Sequence, residues 1–190
     1  MHKFEIAGKN KLDNEERRKM LPPRETLLEL GLSDANKFCD IGAGIGYFSL
    51  PAAEIVGENG KVFAIDISID MLAIIKEKQD EYRINNLELV ESKEYDLILR
   101  DCSANFAFMC NVLHEIDDKK RFLVEINRIL EDSGVLAIIE WNENRQNFGP
   151  PLEDRIQAKD LISILIESGF EVIKEYKFSE FFYGIKAIKE

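Results

Sequence analysis

Short apolar runs alternate along this chain with longer segments whose apolar residues recur at helical spacing. Five of the runs predict strands: KFCDI, GKVFAIDI, LELVES, NFAFMCNVL and GVLAIIEW. YDLIL also has strand character, but NFAFMCNVL is favoured as the fourth strand because an amphipathic helix, DDKKRFLVEINRIL, follows it directly. The fifth strand is entered through a predicted turn, EDSG. Strands that alternate with helices are typical of βαβ units, so the pattern predicts an α/β fold with a mostly parallel sheet.

Both ends of the chain add elements to this pattern. Before the first strand, LPPRETLLELGL predicts a helix that begins at Pro-Pro and ends at Gly31. After the fifth strand, AKDLISILIESGF predicts a helix that ends at Gly169. The tail alternates apolar and polar residues twice, with a break between, which predicts an antiparallel hairpin. The hairpin brings the predicted sheet to seven strands.

The stretch FCDIGAGIGYFSL places three alternate glycines, Gly42, Gly44 and Gly46, directly after the first strand. In open parallel sheets, ligands bind outside the carboxyl ends of the strands, where the strand order reverses. The spacing G-x-G-x-G is one residue shorter than the dinucleotide fingerprint, whose helix N-terminus holds a pyrophosphate. Asp40, just before the glycines, would repel a pyrophosphate and suits a ligand with an ammonium or sulfonium group.

A second acid, Asp66, ends the second strand. A carboxylate at this position can accept hydrogen bonds from both hydroxyls of a ribose, which predicts a nucleoside without a phosphate on those hydroxyls. An adenosine with a positively charged amino-acid tail satisfies Asp40, the glycine loop and Asp66 together. S-adenosylmethionine is such a molecule, and we expect it to be the cofactor.

Three blocks of the sequence resemble class I S-adenosylmethionine-dependent methyltransferases. FCDIGAGIGYFSLPAA and VFAIDISIDML are similar to the family's first and second strands. NVLHEIDDKKRFLVEINRILEDSGVLAIIEW is similar to the fourth and fifth strands of the small-molecule, type 11-like branch. The resemblance covers about residues 21–169. It implies a Rossmann-like three-layer sandwich, a mostly parallel seven-stranded sheet with an antiparallel C-terminal strand, and methyl transfer to a small-molecule acceptor by in-line attack on the sulfonium methyl.

The same resemblance implies which residues contact the cofactor. The methionine part would contact Asp40, Gly42, Ala43 and Gly44, with Asp40 holding the ammonium through water, and the sulfonium would lie beside Asn111, Val112 and Leu113. The ribose would contact Asp66, and the adenine would contact Ile67, Met71, Ser92, Lys93 and Glu94. Of these, Ser92, Lys93 and Glu94 are alternatives for the polar group that binds the adenine amino group.

One segment departs from the family pattern. Where the family has a sequence similar to LPLPDxSxD, this chain has LILRDCSAN, which lacks both prolines and has Asn105 in place of the last acid. We expect the difference to affect the loop over residues 97–105 and, with it, the adenine pocket. A non-catalytic binding subunit with the same fold is therefore an alternative. A nicotinamide-dependent oxidoreductase is a weaker alternative because of the loop spacing and Asp40.

The sulfonium is already activated, so methyl transfer depends mainly on alignment of the nucleophile. A base is needed only where the acceptor loses a proton. His114, at the end of the fourth strand, is the candidate catalytic residue, and its alternative is a structural imidazole that ties the strand end to neighbouring backbone. Glu140, Trp141 and Asn142 follow the fifth strand and are expected to form an acceptor wall, in which Trp141 is either a cleft-edge aromatic or a buried anchor.

We divide the single domain, residues 1–190, into three segments. Residues 1–32 are expected to form an N-terminal helical lid, residues 33–141 the cofactor-binding core, and residues 142–190 the acceptor-side loop, helix and hairpin. The loop itself is long and polar, which is typical of binding loops. Its arginines, Arg145 and Arg155, either meet an acidic acceptor or face solvent.

Composition limits the partners. A net charge of −11 disfavours nonspecific binding to nucleic acid or anionic membranes. The basic clusters NEERRKM and DDKKRF are interleaved with acids, and we expect each to be a solvated helix face. No run has the length of a membrane helix, and the scattered cysteines and histidines predict no metal site. We therefore expect a cytoplasmic monomer or homodimer with a small-molecule acceptor.

Overall fold

The computed structural model describes residues 13–142 and 149–190. Its strands are β1 (Lys37–Ile41), β2 (Lys61–Asp66), β3 (Leu87–Glu91), β4 (Ala104–Cys110), β5 (Leu130–Trp141), β6 (Phe170–Lys177) and β7 (Phe182–Lys189). Its α-helices are α1 (Glu15–Met20), α2 (Pro23–Leu30), α3 (Ser49–Val56), α4 (Ile69–Tyr82), α5 (Lys119–Ile129) and α6 (Ala158–Glu167). Two short 3-10 turns span Leu113–Glu115 and Leu152–Asp154.

The strands form one seven-stranded sheet in the order β3-β2-β1-β4-β5-β7-β6. β1 to β5 pair in parallel, and β7 is antiparallel to both of its neighbours. The chain builds outward from β1 through β2 and β3, and then returns to add β4 on the other side of β1. The strand order therefore reverses between β1 and β4, where ligands of such sheets bind.

Two apolar layers cover the faces of the sheet. Successive residues of β1 point to opposite faces, so Phe38 packs in the layer that includes α2, α3 and α4, whereas Cys39 packs in the layer that includes α5 and α6. In α5, Phe122, Leu123 and Ile126 recur at helical spacing and are all buried in the second layer. The predicted three-layer sandwich with an antiparallel C-terminal strand is confirmed.

Most predicted elements form where the pattern places them, with one difference. β4 is Ala104–Cys110, as favoured, and YDLIL forms no strand of its own. The predicted turn EDSG is wrong: it lies inside β5, where the pairing shifts from Ala104 with Leu130 to Phe106 with Val135. Ser133 has a φ of 60° there, so β5 absorbs extra residues as a bulge instead of ending.

The segment that departs from the family pattern reaches two opposite edges of the sheet. Asn105 lies at the amino end of β4, where its Oδ1 accepts hydrogen bonds of 3.0 Å from the backbone N–H of Lys37 and from Nδ2 of Asn36. These bonds tie the start of β4 to the start of β1. Asn105 is therefore far from the carboxyl ends of the strands, which corrects the expectation that its substitution affects the adenine pocket. Leu97, at the other end of the segment, does line that edge.

Candidate active site

A cavity of about 1000 Å³ opens at the carboxyl ends of β1, β2 and β4. Small-molecule sites span about 300–1,000 Å³, so this one has room for a cofactor and a small second molecule. The predicted site residues that line it are Asp40, Gly42, Ala43, Gly44, Asp66, Ile67, Met71, Ser92, Lys93, Glu94, Asn111, Val112 and His114. Leu113 is the exception, because its side chain is fully buried in the core beside α5, which corrects its predicted place at the sulfonium.

Backbone hydrogen bonds hold the glycine loop against the end of β2. The N–H groups of Gly42 and Ala43 both donate to the carbonyl of Ile65, at 2.8 and 3.0 Å. Gly42 and Gly44 have φ angles of 72° and 53°, in the left-handed region that suits glycine. A Cβ on Gly42 would also collide with the side chain of Val112. The loop and the chain after β4 therefore approach each other as closely as a glycine permits.

Asp66 is held at the end of β2 by two backbone donors. Its Oδ2 accepts a hydrogen bond of 2.8 Å from the N–H of Gly44, and its Oδ1 accepts one of 2.9 Å from the N–H of Ser68. Burial raises the pKa of Asp66, and these backbone hydrogen bonds oppose the increase. Each carboxylate oxygen can accept more than one hydrogen bond. Asp66 therefore has acceptor capacity left for a ligand in the cavity.

Asp40 is only 3% exposed, although it lines the cavity. Its Oδ2 accepts a short hydrogen bond from Oγ of Ser49 in α3. Burial raises the pKa of Asp40 to about 7; the negative charge of Asp66 also raises it, whereas Ser49 and the guanidinium of Arg17 lower it. Near neutral pH both protonation states are populated, and a cationic ligand would favour the ionised one.

His114 lies beyond the end of β4, in the 3-10 turn Leu113–Glu115, which corrects its predicted position at the strand end. Glu140 of β5 holds it: Nδ1 of His114 is 2.8 Å from Oε2 of Glu140, and the backbone N–H of His114 donates to Oε1 at 3.2 Å. Glu140 is 1% exposed and is not among the described residues that line the cavity, so its predicted place in an acceptor wall is wrong. His114 lines the cavity, and Glu140 is buried on the side of His114 away from it.

Of the predicted acceptor wall, Trp141 lines the cavity. Its ring centroid is 4.5 Å from that of Phe182, which also lines the cavity, and a Cβ on Gly149 would lie 2.7 Å from the indole. Trp141 is thus both packed and partly open to the cavity, which combines the two predicted roles. Asn142 is not among the described lining residues, and its N–H donates to the carbonyl of Phe181 at 2.7 Å.

Arg155 binds the ends of the acceptor-side loop. Its guanidinium donates to the carbonyls of Pro150 and Asn142 and lies over the ring of Trp141, 5.9 Å from the centroid. Arg155 is half-buried, and its hydrogen bonds go to the local backbone. Arg145 lies outside the described residues.

α1 contributes a side of the cavity that the sequence pattern assigned to solvent. Arg17 lines the cavity together with Asn14 and Met20. The guanidinium of Arg17 lies 4.7 Å from the ring centroid of Tyr47, and its Nη2 is 4.0 Å from Sγ of Cys110. The expected solvated face is therefore wrong for Arg17. The signal that could have indicated this is the spacing of three residues, which places these side chains on one helix face.

Comparison with known proteins identifies the family. A family model described as a methyltransferase domain matches residues 32–175, which is most of the chain. The crystal structure of an S-adenosylmethionine-dependent methyltransferase from Aquifex aeolicus superimposes with a TM-score of 0.93 at 30% sequence identity, over 99% of this chain and 100% of that one. This chain belongs to the S-adenosylmethionine-dependent methyltransferases. The predicted family and its cofactor are confirmed.

More distant relatives show that membership of the family does not identify the acceptor or the reaction. The demethylmenaquinone methyltransferase of Oceanobacillus iheyensis is 28% identical over 120 residues, 63% of this chain and 50% of that protein. The chain thus spans about half the length of the curated relatives that it matches. The cyclase SpnF shares the fold, with a TM-score of 0.76 at 18% identity over 87% of this chain and 80% of that one. Because a cyclase has this methyltransferase fold, the fold alone does not determine the reaction.

The cavity of this methyltransferase fits the cofactor of its family. Oε1 of Glu94, Oδ1 of Asn111 and Nε of Arg17 are buried and have no hydrogen-bond partner within the described part of the chain. All three residues line the cavity. Buried polar atoms in folded proteins are normally paired, so two acceptors and one donor are available to a ligand. An amino group, an ammonium and a carboxylate are complementary to them, and S-adenosylmethionine carries all three.

Neither thiol chemistry nor a metal is indicated in the described part of this methyltransferase. Cys39 is buried, Cys110 is half-buried and Cys102 is exposed, and all three are free. Burial raises the pKa of Cys110 to about 12, so this thiol stays protonated at neutral pH. Within residues 13–142 and 149–190, no group of His, Cys, Asp and Glu is arranged to hold a metal ion. No helix of these residues has the length and apolar character needed to cross a membrane.

Proposed function

We propose that this chain transfers the methyl group of S-adenosylmethionine to a small-molecule acceptor. The observation that carries the proposal is that two kinds of residue line the same cavity, and we assign them to a cofactor region and an acceptor region. The first contains the glycine loop, Asp40 and Asp66, and the second contains aromatic side chains and His114. The cofactor supplies a methyl group on an activated sulfonium, so the protein acts mainly by aligning the acceptor with it.

Within this proposal, the chemistry of each predicted cofactor residue indicates which part of S-adenosylmethionine it contacts. Asp40 and Oδ1 of Asn111 take the ammonium end, and Asp66 takes the ribose hydroxyls. Oε1 of Glu94, a buried acceptor without a partner in the described part of the chain, takes the adenine amino group in preference to Ser92 or Lys93. Ile67 and Met71, which also line the cavity, take the adenine ring.

The acceptor side of the cavity favours an apolar or aromatic molecule. Met20, Tyr47, Trp141 and Phe182 line the cavity, and we assign them to its acceptor side, where the surfaces of such side chains suit planar rings. Relatives named demethylmenaquinone methyltransferases make hydroxylated naphthalenes the first compounds for an acceptor screen. Of the predicted lid, residues 1–32, the structure describes residues 13–32, and we propose that these cover the cavity, since α1 contributes Arg17 to its lining.

Calorimetric titration with S-adenosylmethionine, S-adenosylhomocysteine and NAD tests the proposal. We expect the first two to bind with dissociation constants of about micromolar order and NAD not to bind. A screen for transfer of radiolabelled methyl to small acceptors then separates an enzyme from a non-catalytic subunit. If neither cofactor species bound, the proposal would fail; binding without transfer to any acceptor would favour the non-catalytic alternative. A cytoplasmic location, a monomeric or homodimeric state and the absence of nucleic-acid binding stay predictions.

A further inference from the structure

The carboxylate of Glu140 contacts two hydrogen-bonding groups of His114, one with each oxygen. One oxygen accepts from the backbone N–H of His114 at 3.2 Å, and the other lies 2.8 Å from Nδ1 of the imidazole. Glu140 is 1% exposed, and the side chain of His114 is 8% exposed. A carboxylate only accepts hydrogen bonds, so the proton of the neutral ring lies on Nδ1, and Nε2 is left as the proton acceptor.

Nε2 is not hydrogen-bonded to the neighbouring acid, Glu115. Oε1 of Glu115 lies 4.0 Å from Nε2, beyond hydrogen-bond distance. His114 lines the cavity, whereas Glu140 lies behind it. The arrangement is that of a base oriented by a buried acid: the acid sets the tautomer and the ring orientation, and it stabilises the imidazolium once a proton has been taken up.

We propose that Glu140 is a positioning residue that makes His114 the general base of methyl transfer. This inference rests on the proposed function and narrows its acceptor to a molecule that keeps a proton on its nucleophilic atom until transfer, such as a hydroxyl or an amine. As that atom bonds to the methyl carbon, its proton moves to Nε2, and the electrons of the broken carbon–sulfur bond stay on sulfur as a neutral thioether. The imidazolium is then paired with the carboxylate of Glu140.

The charges around His114 agree with this role. Burial lowers the pKa of His114, but the hydrogen bond to Glu140 and the negative charges of Glu140, Glu115 and Asp154 together outweigh burial. The pKa of His114 is raised as a result. Because a base acts in its unprotonated form, the methyl-transfer rate should increase as the pH rises through the pKa of His114.

Imidazole NMR of the full chain tests the positioning role without a ligand. The chain has two histidines, so a His2→Gln variant assigns the signals. We expect His114 to carry its proton on Nδ1, with a raised pKa. In Glu140→Gln the pKa should fall and the tautomer should change, because the amide can donate to Nδ1. Glu140→Asp should retain part of the shift, and Glu131→Gln, at the other end of β5, should match wild type. Equal pKa and tautomer in wild type and Glu140→Gln would overturn the proposal.

A comparison of bound states separates a base from a merely structural imidazole. If Nε2 faces the methyl group, the positive sulfonium should lower the pKa of His114 more in the S-adenosylmethionine complex than the neutral thioether does in the S-adenosylhomocysteine complex. The same pKa in both complexes would show that His114 is remote from the reacting atoms. Failure of both compounds to bind would instead contradict the proposed function, while the NMR result on the free protein would stand.

The pH–rate profile supplies a third readout, with dihydroxynaphthalene and simple phenols as acceptors. Glu140→Gln should lower the plateau rate by about 10²-fold or more, with little change in the KM for S-adenosylmethionine. Its profile should also lose the wild-type rise with pH. Glu140→Asp should recover part of the rate. An unaltered profile in Glu140→Gln, with normal cofactor binding and thermal stability, would overturn the proposal.

Discussion

The backbone N–H of Gly44 donates a hydrogen bond of 2.8 Å to Oδ2 of Asp66, and this contact joins the glycine loop to the end of β2. The other oxygen of Asp66 accepts from the N–H of Ser68 at 2.9 Å. One side chain therefore holds the loop, holds the chain just before α4 and presents acceptor capacity to the cavity. Because both the glycine loop and a bound ribose would depend on its carboxylate, Asp66 is an informative position at which to test the proposed cofactor site.

We expect Asp66→Ala to weaken S-adenosylmethionine binding by at least about tenfold, because hydrogen bonds to a charged acceptor contribute about 1.5–3 kcal/mol each. Methyl transfer should fall with it. Asp80→Ala is the matched control, since Asp80 pairs with Lys76 on the exposed surface of α4. Calorimetry measures both. Undiminished affinity in Asp66→Ala would show that the ribose lies elsewhere.

Asp40 should make cofactor affinity depend on pH. Its pKa of about 7 is raised mainly by burial, and a cationic ligand binds the ionised form better. S-adenosylmethionine should therefore bind more tightly at about pH 8 than at about pH 6, and Asp40→Asn should flatten this dependence and weaken binding by roughly tenfold. Titrations at both pH values, with the protein's heat of protonation subtracted, provide the check. Equal affinities for wild type would contradict the prediction.

The same residue should oppose the stability of the free protein above neutral pH. A carboxyl with a raised pKa in the folded state stabilises the fold below its unfolded pKa, and this contribution is lost as the pH rises through about 7. Asp40→Asn should therefore have a higher Tm than wild type at about pH 8, with a smaller difference at about pH 5. Thermal unfolding without cofactor measures this. A Tm lowered at the higher pH would show that Asp40 stabilises the fold as a carboxylate.

Gly42 should not tolerate a side chain. Its φ is 72°, and a Cβ would collide with Val112. We expect Gly42→Ala to cost about 1–3 kcal/mol of stability and to lower cofactor affinity. Val112→Ala in the same chain removes the collision but not the backbone strain, so the double variant should recover part of the loss. Denaturant unfolding and calorimetry of all three variants test this; no recovery in the double variant would contradict the collision.

Arg17 should contribute to cofactor binding, whereas its neighbour should not. Nε of Arg17 is buried with no partner in the described residues, and the cofactor's carboxylate is a suitable acceptor. We expect Arg17→Met to weaken S-adenosylmethionine binding by about tenfold or more. Arg18→Met is the matched control, because Arg18 is exposed and paired with Asp13 at 2.6 Å. Equal affinities in the two variants would place the carboxylate elsewhere.

Substitution of Asn105 should lower the free energy of unfolding and leave cofactor affinity unchanged. Asn105→Ala removes the acceptor for Lys37 and Asn36, which should cost about 1–3 kcal/mol. Asn105→Asp, which restores the family's acid, keeps an acceptor oxygen and should cost less. Neither should change cofactor affinity by more than about twofold, because the residue lies at the amino edge of the sheet. A large change in affinity would revive the predicted effect on the adenine pocket.

Local pattern was sufficient for the order of the elements and for which loops line the cavity. Strands and helices follow from apolar periodicity, and parallel strands bring their carboxyl ends to one edge whatever the details of packing. The residues after β1, β2 and β3 therefore meet at the cavity, as predicted. The bulge in β5 escaped prediction because EDSG has the composition of a turn, while its pairing with β4 decides whether the strand ends.

The sequence by itself determined the fold class, the glycine loop and the two acids beside it, because each depends on residues close together in the chain. Only the tertiary structure decided which side chains distant in the sequence contact each other. Glu140 and His114 are 26 positions apart, and Arg17 and Cys110 are 93 apart. No local pattern encodes such pairs: the sheet order places β5 beside β4, and burial on folding raises the pKa of Asp40 and directs Glu140 to His114.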